Sequence, residues 1–517
     1  MRPSFNTTGP CIPGYHYMLP PERRLERVME LIEQGKYFTL HSGRQTGKTT
    51  SARWIVQHLN RGEQYRAIWV DVQTAREQPD PALAFTTLLK NLAMAVEEAL
   101  PGLGAPPSHA RLLEDPPTAV LDYLRDLAAR CPHPLVVLID EADGLVGPAM
   151  VSFLTQIRQG YIARSETPFP HSVALIGMRA VRDYIVSQDE RRTVAWLGTS
   201  SPFNVSAEAA TLSAFTSDEV AELLAQHTAT TGQRFEPGAV QRIYDLSQGH
   251  PWLVNALADH IVERDVRDRT VAVTAAHVEA AKETLILDRR THIDSLMARL
   301  REPRVRRIID PMIAGERTAG DVLDDDFAYV IGLGLLRARA GRFEIANPIY
   351  REVIPRALAY IQQMQIPHEP AAYVRPDGSL DMPALMAAWQ TFWRKDGHLA
   401  ADGFSYRESG PHLMLMAFLQ RIVNGGGRVE REYGLGRGAL DLMIEWRGAR
   451  HAIEVKLRRD TETEAEALEQ VARYLDKAGL DEGWLLIFDL RSSKPWADRQ
   501  ISRTVDAGSK RIHVLGC

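Results

Sequence analysis

The chain has 517 residues, 45% of them hydrophobic and 25% charged, and a formal net charge of −5. That length predicts roughly three or four domains, each burying its own core, and the mild acidity argues against indiscriminate nucleic-acid binding while leaving room for a local basic groove. No apolar run could span a bilayer, MRPSFNTTGP at the start lacks a charged-then-apolar leader, and three scattered cysteines (Cys11, Cys131, Cys517) suit a reducing cytoplasm better than a disulfide framework or zinc site.

In chain order, residues 1–36 read as a Pro/Gly-marked lead-in and an amphipathic helix from Glu22 to Gln34. Apolar strands then alternate with helical stretches: YFTL at 37–40, AIWVDVQ at 67–73, LVVLID at 135–140 and SVALIG at 172–177. Such alternation predicts a parallel sheet covered by helices on both faces. A first domain is expected over 1–208. An all-helical one follows over 209–288, with helix starts at Thr216-Ser217-Asp218-Glu219 and Pro237. Residues 289–362 read as a compact helical unit closed by a hairpin, LLRARAGRFEIAN, turning at Ala340-Gly341. Helices followed by a two-stranded wing suggest a winged helix. Residues 363–382 read as a linker, and 383–517 mix helices and strands. The fold class expected is therefore multidomain α/β.

The stretch HSGRQTGKTT lies between the first strand and SARWIVQHL, whose apolar spacing suits a helix. A strand, a Gly-rich turn ending in Gly-Lys-Thr and a helix form a phosphate cradle, because the N–H groups at the helix start converge on an anion. Ser42, Gly43, Arg44, Gln45, Thr46, Gly47, Lys48, Thr49 and Thr50 are the expected ATP-binding residues. In that reading Lys48 neutralises the β and γ phosphates and Thr49 ligates Mg²⁺. Ser42 stands where this motif ordinarily has its first glycine, with Gly43 beside it.

LVVLID ends in Asp140-Glu141, one carboxylate for the Mg²⁺ shell and one to polarise the attacking water. The long interval between Lys48 and Asp140 leaves room for an inserted strand, as in the additional-strand class of P-loop ATPases. Further on, Gln248-Gly249-His250-Pro251-Trp252 opens a helix and resembles the Gly-x-Pro lid element of STAND and archaeal-type AAA-like ATPases, which implies that Pro251 packs near the adenine; a plain first helical turn is the alternative. Arg179 and Arg182 sit where proteins of that resemblance place phosphate-sensing residues, with surface pairing to Asp183 or Glu190 as the alternative. The third helix of the winged-helix segment, DDDFAYVIGLGLL, is acidic at its start and would be repelled from a major groove. The basic run of Arg299, Arg301, Arg304, Arg306 and Arg307 lies on an earlier helix and suits contact with nucleotide, phosphodiester backbone or a neighbouring domain.

Residues 440–457, LDLMIEWRGARHAIEVKL, read as two strands joined at Arg447-Gly448-Ala449-Arg450. A four-residue loop sets Trp446 opposite His451, Asp441 across from Lys456 and Met443 across from Glu454. Alternation then gathers Asp441, Glu454 and Lys456 on one face and Leu442, Ile444, Ile453, Val455 and Leu457 on the other. Two carboxylates beside an ammonium are costly near a core unless a metal or phosphate occupies the site, and a salt-bridged exposed strand face is the plain alternative. Asp441 and Glu454 are candidate Mg²⁺ ligands, with Lys456 orienting the water that such an ion would acidify.

The spacing Asp-x₁₂-Glu-x-Lys on a hairpin resembles the PD-(D/E)XK nuclease superfamily. The resemblance implies a catalytic acid at Glu408, at the start of ESGPHLMLMAFLQRIV, although an acid there also suits the helix dipole. It places an auxiliary glutamine at Gln470, one turn from Tyr474. Over nearly the whole chain, FNTTGP…HYMLP, GMRAVRDY, QGHPWLVNAL, THIDSLMARLREPRVRRII, EIANPIYREVIPRAL and NGGGRVEREYGLGRGALDLMIEW are similar to bacterial AAA-like ATPases of the STAND or archaeal type fused to such a nuclease. This implies an ATPase core with Glu141 as its hydrolytic acid, a helical lid, a winged helix and a nuclease-like module, with a role in defence or mobile-element control.

The function expected is an ATP- and Mg²⁺-dependent DNA nuclease controlled by its ATPase module. The alternative is a nucleotide-dependent switch or scaffold whose nuclease-like domain binds DNA or a partner without cutting. Residues 401–517 carry 18 Lys/Arg and 18 Asp/Glu, so DNA held there needs help from other domains or a second copy of the chain.

Overall fold

The computed structural model describes residues 2–76, 78–103, 118–177, 206–287, 296, 298–313, 325–339, 342–354, 373–394, 409–423, 427–434, 439–458, 464–489 and 501–517. Glu408, Arg179, Arg182 and the turn residues Ala340 and Gly341 lie outside them. The chain forms two compact units, one of Met1–His292 with Asp321–Arg339 and one of Ile293–Gly320 with Ala340–Cys517.

The first unit is built on strands β1 (Tyr37–His41), β2 (Arg66–Asp71), β3 (Leu135–Asp140), β4 (Ser172–Gly177) and β5 (Ser206–Thr211). They run parallel in the order β2-β3-β4-β1-β5. β4 thus lies between the strand that feeds the Gly-rich loop and the one that ends in Asp140, but it follows Asp140 in the chain; the strand held within the interval from Lys48 to Asp140 is β2, at the edge of the sheet. Alternate residues of each strand serve different layers. Phe38, Leu40, Val136, Leu138, Ala174 and Ile176 pack on α1 (Glu26–Glu33) and α2 (Lys48–Arg61). Val137, Ile139, Val173 and Leu175 meet α3 (Pro81–Ala99), α4 (Ala119–Arg130) and α5 (Gly147–Ala163) through residues such as Phe85, Tyr123 and Phe153. Because both faces are covered, the strand cores read as near-continuous apolar runs.

Two local expectations change. The helix expected over 22–34 is a short 3₁₀ turn at Pro21–Arg24 followed by α1, with Leu25 between them. β5, SAEAAT, went unforeseen because it lacks the β-branched and aromatic residues that mark its neighbours; pairing with β1 makes it a strand.

After β5 the unit is helical: α6 (Ser217–Thr231), α7 (Pro237–Ser247), α8 (Pro251–His260) and α9 (Ala275–Leu287). α6 opens with a full capping box between Thr216 and Glu219. The N-terminal lead-in is stapled to this lid. Phe5, Tyr17, His227 and Phe235 form an aromatic cluster, and Gln226 holds both backbone groups of Met18.

The second unit includes α10 (Pro303–Ile313), while α11 (Asp325–Gly332) and β6 (Leu336–Arg339) belong to the first. β7 (Arg342–Ile345) starts the longer part of the second unit, followed by α12 (Met382–Phe392) and α13 (Ser409–Val423). Then come β8 (Gly427–Gly434), β9 (Ala439–Trp446), β10 (Ala449–Arg458), α14 (Glu464–Ala478), β11 (Glu482–Asp489), β12 (Ser502–Ala507) and β13 (Lys510–Gly516). These six strands form a mixed sheet, β12-β13-β11-β10-β9-β8, parallel only at β10/β11 and β11/β13. One face packs Met443, Ala452, Leu485, Ile487 and Val514 on α14; elsewhere Trp389, Trp393, Phe418 and Phe488 make an aromatic cluster with α12 and α13. Among the described residues, no helix is long and apolar enough to cross a membrane.

Candidate ATP-binding and phosphodiester sites

The Gly-rich loop turns sharply into α2. Gln45 and Gly47 both have positive φ, 58° and 96°, and Gly47 caps the helix. Thr46 Oγ1 donates to Gly43 O at 2.8 Å, closing the turn. Lys48 is only 8% exposed, and its Nζ donates to Ser42 O and Gly43 O, both at 2.8 Å. A β-carbon on Gly43 would lie 3.2 Å from Leu333 O and 3.3 Å from Gly334 Cα, so this close approach calls for glycine at 43. Ser42 is buried and contributes its carbonyl to Lys48.

Asp140 ends β3 and is 2% exposed. Its Oδ2 accepts from Thr49 Oγ1 at 2.9 Å and from Trp69 Nε1 at 3.2 Å, while Oδ1 accepts from the Glu141 N–H at 3.0 Å. Burial pushes its carboxyl above the usual range, and those three donors pull it back. Glu141 takes the left-handed conformation, φ 53°, where the chain leaves the sheet. Thr50 Oγ1 accepts from the Cys11 N–H at 3.0 Å, tying the lead-in to α2. A buried ammonium, converging loop N–H groups and a hydroxyl beside a carboxylate are the donor set that a metal-bound triphosphate requires.

Pro251 occupies the first turn of α8, and the structure brings that turn to the loop. The His250 ring, part-buried, is hydrogen-bonded to the backbone of Arg44 and accepts from Leu253 N–H. Gly249 has φ +73°, and a β-carbon there would fall 1.9 Å from Phe215 O. Arg24, which the sequence pattern did not single out, spans the same corner. It donates to Thr46 O at 3.2 Å and to Ser213 O at 2.9 Å and lies over the Phe215 ring.

Burial depresses His250 to about 4. In the unfolded chain it protonates near 6.5, so between about 6.5 and 4 the unfolded state takes up a proton that the native state refuses. Stability is therefore lost as pH falls through that window, on the order of 3 kcal/mol for this group. His250→Gln should flatten the dependence of the melting temperature on pH between 7 and 4. An unchanged slope would refute this assignment.

In the second unit the β9–β10 hairpin corrects the expected register. Trp446 pairs with Ala449, not His451, and Ile453 with Leu442, so the turn is the two residues Arg447-Gly448. Both have positive φ, 49° and 88°, the conformation that matches strand twist in a two-residue turn. The slip is even, so the faces are unchanged; Glu454, not Lys456, stands across from Asp441.

Asp441 Oδ2 accepts from Val455 N–H at 2.8 Å, and Asp441 N–H points to Glu454 Oε2 at 3.4 Å. Lys456 Nζ lies 3.1 Å from Glu454 Oε1. From α14, Gln470 donates to Glu454 Oε1 at 2.9 Å and accepts from Lys456 Nζ at 3.1 Å, with Tyr474 OH 3.1 Å from its amide nitrogen. Glu454 is 1% exposed and its carboxyl is pushed up to about 8, by burial first and then by Asp441, against the pull of Lys456. Two carboxylates converge here, and a divalent cation between them would require Glu454 to ionise, against the burial that raises its pKa. Among the described residues, no group of three or more His, Cys, Asp and Glu is placed to hold a metal.

A family model described as an AAA-like domain matches residues 15–351, and a domain of unknown function, DUF8371, matches 386–492. No curated protein matches. Among solved structures, the Walker-type ATPase PABY2304 of Pyrococcus abyssi is 14% identical with a TM-score of 0.47, covering 68% of this chain and 99% of its own. The ORC2 protein of Aeropyrum pernix is 16% identical (TM-score 0.36; 66% and 92% covered). The RuvB Holliday junction branch migration motor of Thermotoga maritima is 14% identical (0.33; 64% and 93%).

Proposed function

The chain belongs to the AAA-like domain family, and from that premise we propose that it is a Mg²⁺-dependent DNA nuclease whose ATP-binding and ATP-hydrolysing module controls phosphodiester cleavage. In this reading 1–208 is the ATPase domain, 209–288 its lid, 289–362 a winged helix, 363–382 a linker and 383–517 a PD-(D/E)XK-like nuclease acting in cytoplasmic defence against foreign DNA.

The ATPase half draws support from Lys48 and Thr49 following β1 while Asp140 and Glu141 lie at the end of β3, the two strands that flank β4, with Thr49 hydrogen-bonded to Asp140. Thr49 and Asp140 are the residues that would hold Mg²⁺ there. The observation that carries the nuclease half is the meeting of Asp441, Glu454 and Lys456, bridged by Gln470, on a partly covered sheet face. Mg²⁺ bound to the two carboxylates would acidify a water and offset charge on the scissile phosphate. Lys456 is set to orient that water, and Gln470 holds the Lys456 and Glu454 side chains in register. Glu408 completes the acid set in this proposal. The even charge of residues 401–517 favours DNA held with the help of a second subunit.

The rival reading, a nucleotide-dependent switch that binds DNA without cutting, is favoured by the pairing of only two carboxylates among the described residues. Purified protein incubated with plasmid, linear and single-stranded DNA decides between them. The nuclease reading expects Mg²⁺-dependent cutting whose rate changes with ATP; intact DNA that is retained by the protein in the presence of ATP supports the switch.

A further inference from the structure

We propose that Trp69 is a positioning residue of the ATPase site: its indole N–H sets the orientation in which the Asp140 carboxylate meets Thr49 and the nucleotide-bound metal. The inference rests on the Mg²⁺–ATP reading of that site. Trp69 lies on β2, paired with Leu138, so its side chain reaches two residues along the neighbouring strand to Asp140. A purely apolar residue would fill that space equally well. Tryptophan adds a donor, and a part-buried indole N–H has to find an acceptor.

The acceptor is Oδ2 of Asp140, the same oxygen that takes the Thr49 hydroxyl. The Glu141 N–H holds Oδ1. Three donors from three directions, the start of α2, the main chain and β2, therefore define the carboxylate plane. Thr49 is itself a prospective metal ligand, and its hydroxyl oxygen can face a metal through a lone pair while its O–H goes on donating to Asp140. The indole and the main chain hold the carboxylate from two further sides, neither of them a metal ligand. The ring is braced in turn, with the Arg53 guanidinium 5.0 Å over its centroid and the α1–α2 core beneath it. Hydrogen bonds of this kind orient acidic ligands without touching the ion, and losing one typically weakens metal binding by about 10- to 100-fold.

The test uses the full chain with Trp69→Phe and Trp69→Leu, both apolar fillers without the donor. Binding of a methylanthraniloyl-ATP probe is measured by fluorescence in MgCl₂ and in EDTA. The expectation is that affinity in EDTA stays within about twofold of wild type, while the gain on adding Mg²⁺ shrinks about tenfold. The Mg²⁺ concentration for half-maximal ATP hydrolysis should rise in step. Variants that respond to Mg²⁺ as the wild type does overturn the inference. Equal losses with and without Mg²⁺ also overturn it, because they mark a packing role. A wild-type protein whose probe binding ignores Mg²⁺ overturns the premise and the inference together.

Discussion

Lys48→Ala should bind ATP about a hundredfold more weakly than the native chain and show no measurable hydrolysis, because a buried charge-assisted contact to phosphate is lost. The ammonium is almost wholly enclosed and donates to two carbonyls of its own loop, Ser42 O and Gly43 O. A phosphate oxygen is a charged and therefore stronger acceptor for the same donors. Alanine removes the cation while leaving the turn itself, closed by Thr46 and capped by Gly47, in place. The loss should accordingly appear in isothermal titration with ATP and not as unfolding. Wild-type ATP affinity in this variant would show that the Gly-rich loop does not hold the phosphates.

Lys456→Ala is expected to lower DNA cleavage at least about a thousandfold, within the range for removing a positioned proton-transfer or charge-stabilising group. ATP hydrolysis should be untouched, since the residue belongs to the other compact unit. The variant also deprives Glu454 of the ammonium 3.1 Å away, leaving a deeply buried carboxyl beside Asp441 with even more reason to keep its proton. Glu454→Gln, close in shape, should be equally inactive, because an amide cannot ionise to hold a cation, yet at least as stable, because it keeps a neutral group that can hydrogen-bond to Gln470. Gel assays of plasmid cleavage with thermal melts of both variants check this. Residual cutting near the wild-type rate in either one would move the chemistry elsewhere, and cutting by Lys456→Ala alone would remove the lysine from it.

How much of this was readable from residue order follows from the range over which each feature acts. The Gly-rich loop, the apolar strands of the first sheet and the two faces of the β9–β10 hairpin depend on neighbours only a few positions apart, through turn chemistry and a two-residue alternation. For that reason the gathering of Asp441, Glu454 and Lys456 survived an error in register. The error arose because Arg447 adopts a positive φ that an arginine rarely announces. β5 needed β1 as a template. Gln470 could be assigned its helix from the sequence, but its span between Glu454 and Lys456 depends on how α14 crosses the sheet. Arg24 at the loop, His250 against Arg44 and the Trp69 indole on Asp140 have no local signature, because each contact joins segments far apart in the chain. Which groups can react is thus written in residue type and short spacing. Which of them are held still, desolvated and shifted in acidity is settled by packing, since burial and long-range hydrogen bonds exist only once the sheets and helices have closed on one another.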